Sequence, residues 1–321
     1  MFVLMCKDNA VYNIETEHVL NHNLLPGSMR KIPDNYSFKN WLKKRYSSGT
    51  NTLARQLRGI TFGQGNRVVI DKTTHALSLS DCYWIKDIDD TIKFKTISPY
   101  YTDFWKGELL DGKYDGGAIP TLYVPGYISK AWLSTEYLYK TGCEIEIECA
   151  DICLKLGLNC VSVYNCASVK EYDKGIIVKN FTSPQFMLEQ ADMSGNFEED
   201  YYTNGDILRE FGKDGFRMIL IDAVFGNGDR HLGNFGYIRN ADTGDYTGMA
   251  PLYDFDHALD ACGTDDILIG DAAKIMRENA DYAVIGLGLL KEITSDDFIC
   301  RTVFKERSKA IIQKYDKLKE I

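Results

Sequence analysis

Asn227-Gly228-Asp229-Arg230-His231-Leu232-Gly233-Asn234 is followed, after a short intervening stretch, by Pro251-Leu252-Tyr253-Asp254-Phe255-Asp256. These two stretches decide how the chain is read. A carboxylate, a carboxamide five positions later and a second carboxylate 25 positions after the first can meet only if the chain between them doubles back. The residues in between predict that it does. Phe216-Arg217-Met218-Ile219-Leu220-Ile221-Asp222-Ala223-Val224-Phe225 reads as a buried helix leading into the loop, and Phe235-Gly236-Tyr237-Ile238 as a short strand leaving it. Asn240-Ala241-Asp242-Thr243-Gly244-Asp245 has the composition of a hairpin turn. Met249-Ala250-Pro251-Leu252-Tyr253 then returns the chain and delivers Asp254 beside Asn234, on a sheet rigid enough to mount a metal site.

Phosphoryl transfer asks for this residue set. One carboxylate orients the attacking hydroxyl, and oxygen ligands hold the cations that bridge the nucleotide phosphates. Asp229 fits the first role; Asn234 and Asp254 fit the second, with Mg2+ as the matching hard cation. His231 reads as a packed turn residue, because Asp229 already supplies the base. Arg230 is expected to pair with Asp229 or another nearby carboxylate and so orient the loop. A polar turn closed by an internal ion pair would account for Asp229, Arg230 and His231 alone. It does not account for the second aspartate on the return or for the apolar runs on both sides.

The chain has 321 residues, long enough for two core-bearing lobes, and 45% hydrophobic with 26% charged residues is an ordinary globular composition. A net charge of −9 argues against a protein built mainly to grip nucleic acid, whose phosphates call for a basic surface. The nine cysteines form no Cys-x-x-Cys pair, so buried free thiols in a reducing cytosol are expected rather than a zinc site. No apolar run reaches the roughly 20 residues of a membrane helix. The opening Met1–Met5 reads as a first strand and not as a signal peptide, which makes cytoplasmic the expected location.

The N-terminal 100 residues predict a hairpin around Lys7-Asp8-Asn9, a helix capped by Ser37 carrying Phe38, Trp41, Leu42 and Tyr46, and an edge strand within 77–86. A second helix around Leu53 and Leu57 is expected to follow the first. Gly112, Gly116, Gly117 and Gly126 fall among strand-like residues, where hairpin glycines let backbone N–H groups approach phosphate closely. Taken alone that segment also fits a turn-rich meander.

Tyr137-Leu138-Tyr139-Lys140 alternates like a strand and puts Lys140 on the inward face, where a lysine needs a partner charge. A helix 146–156 follows, stopped by Gly157, with Glu144, Glu146 and Glu148 around its start. Helix geometry alone does not choose which of them serves Lys140. Strands are expected over 159–164 and 175–179, with Val178-Lys179-Asn180-Phe181 as a hinge able to meet an adenine ring. Met187–Gln190 reads as a short helix, and 272–277, 294–301 and 303–319 as further helices.

The Asp-Arg-His-x-x-Asn string and the later Asp-Phe-Asp resemble the catalytic and metal-binding segments of the HipA-like and CtkA-type bacterial serine/threonine kinases, and more distantly those of phosphatidylinositol kinases. Asp256 departs from the kinase pattern by replacing its glycine. The resemblance implies an α+β, bilobal protein-kinase-like fold, with an antiparallel N-lobe sheet plus helices and a mostly helical C-lobe. Residues 1–180 would be the N-terminal lobe, with an accessory subdomain over 1–100 and a nucleotide-binding sheet and helix over 101–180. Residues 181–321 would be the catalytic lobe.

It also implies ATP and Mg2+ as cofactors, and Asp229, Asn234 and Asp254 as the catalytic set, the last two holding metal. Lys140 would be the phosphate lysine and Glu146 its helix partner, with Glu148 in reserve. Gly126, Ser129 and Val178 would belong to the nucleotide site, Ser129 as a modifiable serine. The implied activity is transfer to serine or threonine of a protein, including the enzyme itself, with an inhibitory antitoxin as a further partner. A lipid kinase, a small-molecule kinase or a toxin component stays open beside it. The short N-terminal portion puts antitoxin binding and DNA association in doubt.

Overall fold

The structure, a computed structural model, describes residues 1–46, 61–62, 68–69, 75–102, 130–166, 175–198, 201–259 and 265–320. It is mixed α+β with antiparallel sheets, and its contacts separate two compact units. The first comprises Met1–Gly142, Cys166–Glu198 and Gly236–Ala250; the second comprises Cys143–Asn165, Glu199–Phe235 and Pro251–Ile321.

In the first unit β1 (Phe2–Cys6) and β2 (Asn9–Asn13) form the expected N-terminal hairpin, and β3 (His18–Val19) extends it. Burial of Leu4, Val11 and Tyr12 opens a core that α1 (Gly27–Arg30) and α2 (Asn35–Tyr46) close. Phe38, Trp41 and Leu42 are buried at helical spacing, as the periodicity predicts. The helix cap is Asp34, whose Oδ1 accepts from the Ser37 N–H at 2.8 Å. Ser37 therefore sits three residues inside the cap position it was expected to fill.

A two-residue ladder joins β4 (Thr61–Phe62) to β5 (Val68–Val69), and β6 (Tyr83–Asp87) completes the first sheet at its edge, beside β1. The helix expected around Leu53 lies outside the described residues. After α3 (Phe94–Ile97), β7 (Lys130–Ser134) and β8 (Tyr137–Thr141) pair antiparallel. The chain then contributes α4 (Ile145–Lys155) and β9 (Val163–Asn165) to the second unit and returns as β10 (Gly175–Lys179), which pairs with β8. Gly157, at φ 68, ends α4 where its freedom from a Cβ predicts.

Met187–Gln190 is not a helix. It lies in β11 (Phe186–Gln190), which pairs antiparallel with β12 (Gly236–Asn240), itself paired with β13 (Tyr246–Met249). Burial alternates along β11, with Met187 and Glu189 inward, and that period is a strand's. Glu189 turns inward to meet Arg239, which is 0% exposed. Arg239 Nη1 donates to Glu189 Oε2 at 2.9 Å and to the Tyr83 hydroxyl at 2.6 Å. Its Nε donates to the Gly244 carbonyl and its Nη2 to that of Asn23, while Glu189 Oε1 accepts from the Gly27 N–H. The short helix α5 (Ala191–Ser194) follows β11.

The second unit is mostly helical. Its axis is α6 (Asn204–Phe225), opened by a Thr203/Asp206 capping box and broken once, at Gly212. Its C-terminal half is apolar and buried, and it ends on Gly226 at φ 64. Around it stand α7 (Asp265–Glu278), α8 (Ala280–Thr294) and α9 (Thr302–Lys319). The helix expected over 294–301 is absent because α8 stops at Thr294, and α8 itself starts on Asn279, whose Oδ1 accepts from the Asp281 and Tyr282 N–H groups.

From α9, Arg307 Nε donates to the Ala223 carbonyl at 2.9 Å, and its guanidinium carbon lies 3.1 Å from where a Cβ on Gly226 would sit. A Gly226→Ala change combines that crowding with a left-handed backbone. We expect it to cost about 1–2 kcal/mol, read as a lower denaturant midpoint at unchanged slope.

Eight cysteines among the described residues are thiols outside any disulfide, and burial pushes the Cys6 thiol up to about 12.

Candidate active site

The loop that carries Asp229 and Asn234 begins where α6 stops. Asp222, buried in its last turn, accepts from Asn227 Nδ2 at 2.9 Å, which folds the chain sharply after the helix. Arg230 then reaches back to Asp222, with Nε on Oδ2 and Nη2 on Oδ1, both at 2.9 Å, in the two-pronged geometry that makes arginine–carboxylate pairs strong. Its remaining donor group, Nη1, gives hydrogen bonds to the carbonyls of Asn234 (2.8 Å) and Tyr253 (2.6 Å), and the guanidinium lies 5.0 Å over the Phe255 ring. Burial opposes the charge on Arg230. The Asp222 carboxylate, with the field of Asp254 behind it, outweighs that and pushes the guanidinium above its ordinary range.

Because Arg230 is taken by Asp222, the Asp229 carboxylate is left facing outward, 51% exposed, with His257 Nε2 at 3.7 Å from Oδ2. The Asp229 backbone does separate work: its carbonyl accepts from the His231 N–H at 2.8 Å and from Asn234 Nδ2 at 3.1 Å. His231 Nδ1 accepts from the Gly233 N–H at 3.0 Å, the turn role its position predicts.

Asn234 is buried, and with Nδ2 given to Asp229 its Oδ1 is the atom it can offer a cation. Asp254 stands at φ 62. A left-handed non-glycine residue costs on the order of 1–3 kcal/mol and persists where its surroundings enforce it, which happens most often at functional sites. Those surroundings are specific. The Leu252 N–H donates to the Asn159 carbonyl at 2.8 Å, and the Leu252 carbonyl accepts from Val161 at 3.0 Å. The Tyr253 hydroxyl donates to the Gly233 carbonyl at 2.9 Å, and Phe255 packs edge-on against Phe225. Asn234 and Asp254 offer oxygen atoms alone, a donor chemistry that suits Mg2+ and not zinc or copper.

The glutamates following Lys140 divide by partner. Glu148 accepts from the Arg301 N–H at 2.9 Å and from Arg301 Nε at 2.5 Å, at the start of α9. Glu146 is 1% exposed, and its carboxylate, the Cys143 thiol and the Asp256 carboxylate place ligand atoms within 4.8 Å of one another. Asp256 thus lies beside Glu146.

Lys140 lies in the first unit, on β8, and is 4% exposed, but burial does not alternate along the strand: Tyr139 is buried beside it and Leu138 only partly so. Directly across the ladder stands Lys130, the first residue of β7, 6% exposed and not among the candidate residues read from the sequence. Val178 lies on β10 opposite Leu138. Gly126 and Ser129 lie outside the described residues. The structure therefore brings Asp229, Asn234, Asp254 and Glu146 into one unit and places Lys140 and Val178 in the other. Among the described residues, no helix is long and apolar enough to cross a membrane.

No protein-family model and no curated protein matches the chain. Among solved structures it is similar to the Helicobacter pylori proinflammatory kinase CtkA, with 17% identity, 59% of this chain and 90% of that one covered, and a TM-score of 0.39. It is also similar to Shewanella oneidensis MR-1 HipA, solved in a toxin–antitoxin complex with HipB and operator DNA, with 13% identity, 100% of both chains covered and a TM-score of 0.47.

Proposed function

We propose that the chain is an ATP- and Mg2+-dependent phosphotransferase of bilobal, kinase-like build that phosphorylates serine or threonine hydroxyls of proteins, its own included. The observation that carries this reading is that one buried guanidinium bonds the carbonyls of Asn234 and of Tyr253, next to Asp254 in its left-handed backbone, while Asn234 Nδ2 donates to the Asp229 carbonyl. Asn234 Oδ1 and the Asp254 carboxylate would hold Mg2+. When bound, the cation would supply positive charge to offset the negative charge that develops on the transferred phosphoryl group.

The Asp229 carboxylate is free of the ion pair that holds the loop, so it can receive an acceptor hydroxyl from outside, orient its oxygen in line with the γ-phosphorus and take its proton. Lys140 would meet the phosphates. Lys130, carrying a like charge directly across the strand pair, strengthens the preference of that sheet face for an anion.

Incubating the protein with radiolabelled ATP and Mg2+, alone and with generic protein substrates, tests the reading beside an Asp229→Ala control. Label on serine or threonine that the control lacks is the expected result. Mg2+-dependent ATP binding with no protein label would redirect the reading to a lipid or small-molecule acceptor. Absence of ATP binding would end it.

A further inference from the structure

Arg230 spans two stretches of chain that cation binding requires to stay in register. Through Nη1 it holds the carbonyl of residue 234 itself and the carbonyl of Tyr253, immediately before Asp254. Its plane covers the ring of Phe255, immediately after Asp254. On the opposite edge both oxygens of Asp222 anchor it, and Asp222 is fixed by the last turn of α6 and by Asn227. An ion pair with a purely structural role needs only the carboxylate edge of the guanidinium. Here the other edge is given wholly to the two stretches of backbone that carry the candidate cation ligands. Lysine could not reproduce this, since its ammonium is a point charge on a flexible stem and has no planar fork.

We propose that Arg230, anchored by Asp222, is the positioning residue of the cation site: it sets the separation of Asn234 and Asp254 and so the affinity with which the pair takes a divalent metal. Its use in catalysis rests on the phosphotransferase reading; its effect on metal binding does not. Partners that orient metal ligands change metal affinity by about 10–100-fold when altered, and a misplacement of about 1 Å near reacting groups can lower a rate about 100-fold.

The test compares Arg230→Lys and Asp222→Asn with Arg239→Lys, a control at a buried arginine of the first unit that pairs with Glu189. Three readouts are taken: thermal melting, binding of Mn2+ alone followed by electron paramagnetic resonance, and the Mg2+ dependence of phosphoryl transfer from ATP. Arg230→Lys should weaken Mn2+ binding by about 10–100-fold and raise the half-saturating Mg2+ in parallel. It should also lower kcat more than it raises KM for ATP. Asp222→Asn should move the same quantities less far. Arg239→Lys should lower the melting temperature alone.

Arg230→Lys with a lowered melting temperature but wild-type Mn2+ and Mg2+ dependence overturns the proposal, as does failure of both Arg230→Lys and Asp222→Asn to fold. If the wild type binds Mn2+ and Arg230→Lys loses it, yet no phosphoryl moves from ATP, the positioning role stands and the phosphotransferase reading falls. A wild type that binds no Mn2+ overturns both.

Discussion

Replacing Asp229 with asparagine should slow phosphoryl transfer by about 10²–10⁴-fold, the range for removing a positioned general base, while Mg2+-dependent ATP binding stays near wild type. The expectation follows from the division of labour within this one residue. Its carbonyl holds Asn234 Nδ2 and the His231 N–H, so the loop is built from backbone that the substitution does not touch. Its side chain is half exposed and outside the Asp222–Arg230 pair, so the change removes a proton acceptor without removing a buried charge. Asp254→Asn should behave differently, lowering Mg2+-dependent ATP binding together with the rate. Single-turnover transfer and calorimetric ATP binding separate the two. Asp229→Asn retaining more than about a tenth of the wild-type rate would leave the base outside the range such groups occupy and would remove Asp229 from that role.

In the first unit, Glu189→Ala should destabilise the fold by about 3–5 kcal/mol, the usual consequence of stripping one partner from a buried ion pair. Arg239 is fully buried, and its charge is matched by Glu189 alone among the groups it bonds; its other acceptors are a tyrosine hydroxyl and two carbonyls. The change would also strand the Gly27 N–H that Glu189 now accepts. Urea titration should show the midpoint falling at unchanged slope. A double replacement, Glu189→Leu with Arg239→Met, should recover most of the loss, because hydrophobic side chains of similar volume avoid the desolvation that the pair must offset. A loss below about 1 kcal/mol for Glu189→Ala would place the pair in the class of exposed salt bridges and contradict the burial that motivates the expectation.

What was legible in the chain was local. The turn Asn240–Asp245, the strand Gly175–Lys179 and the helix ending at Gly157 each declare themselves by composition or period within a dozen residues. With them came the return that carries Asp254. What was not legible depended on partners distant in sequence. β11 reads as helical until Arg239, 50 residues on, explains why Glu189 points inward at strand spacing. Arg230 has Asp229 beside it in sequence, yet the exit geometry of α6 delivers Asp222, eight positions back, to its fork. Glu146 and Glu148 look equivalent on a helix start, and what separates them is Arg301, 153 residues beyond Glu148. Lys130 was lost for a smaller reason: a lysine at the first position of a strand looks like the loop before it.

The capping of α6 has a consequence for synthesis on the ribosome. The helix that leads into the Asp229–Asn234 loop is closed at its end by Arg307, and Phe225, its last residue, packs against Phe304. Both partners belong to α9, made some eighty residues after the end of α6. While the intervening chain is still being translated, Ala223 has no guanidinium at its carbonyl and Phe225 lacks one wall of its packing. The loop residues are therefore synthesised well before the element that packs on the end of α6, and until α9 has been made the platform beneath them lacks these contacts.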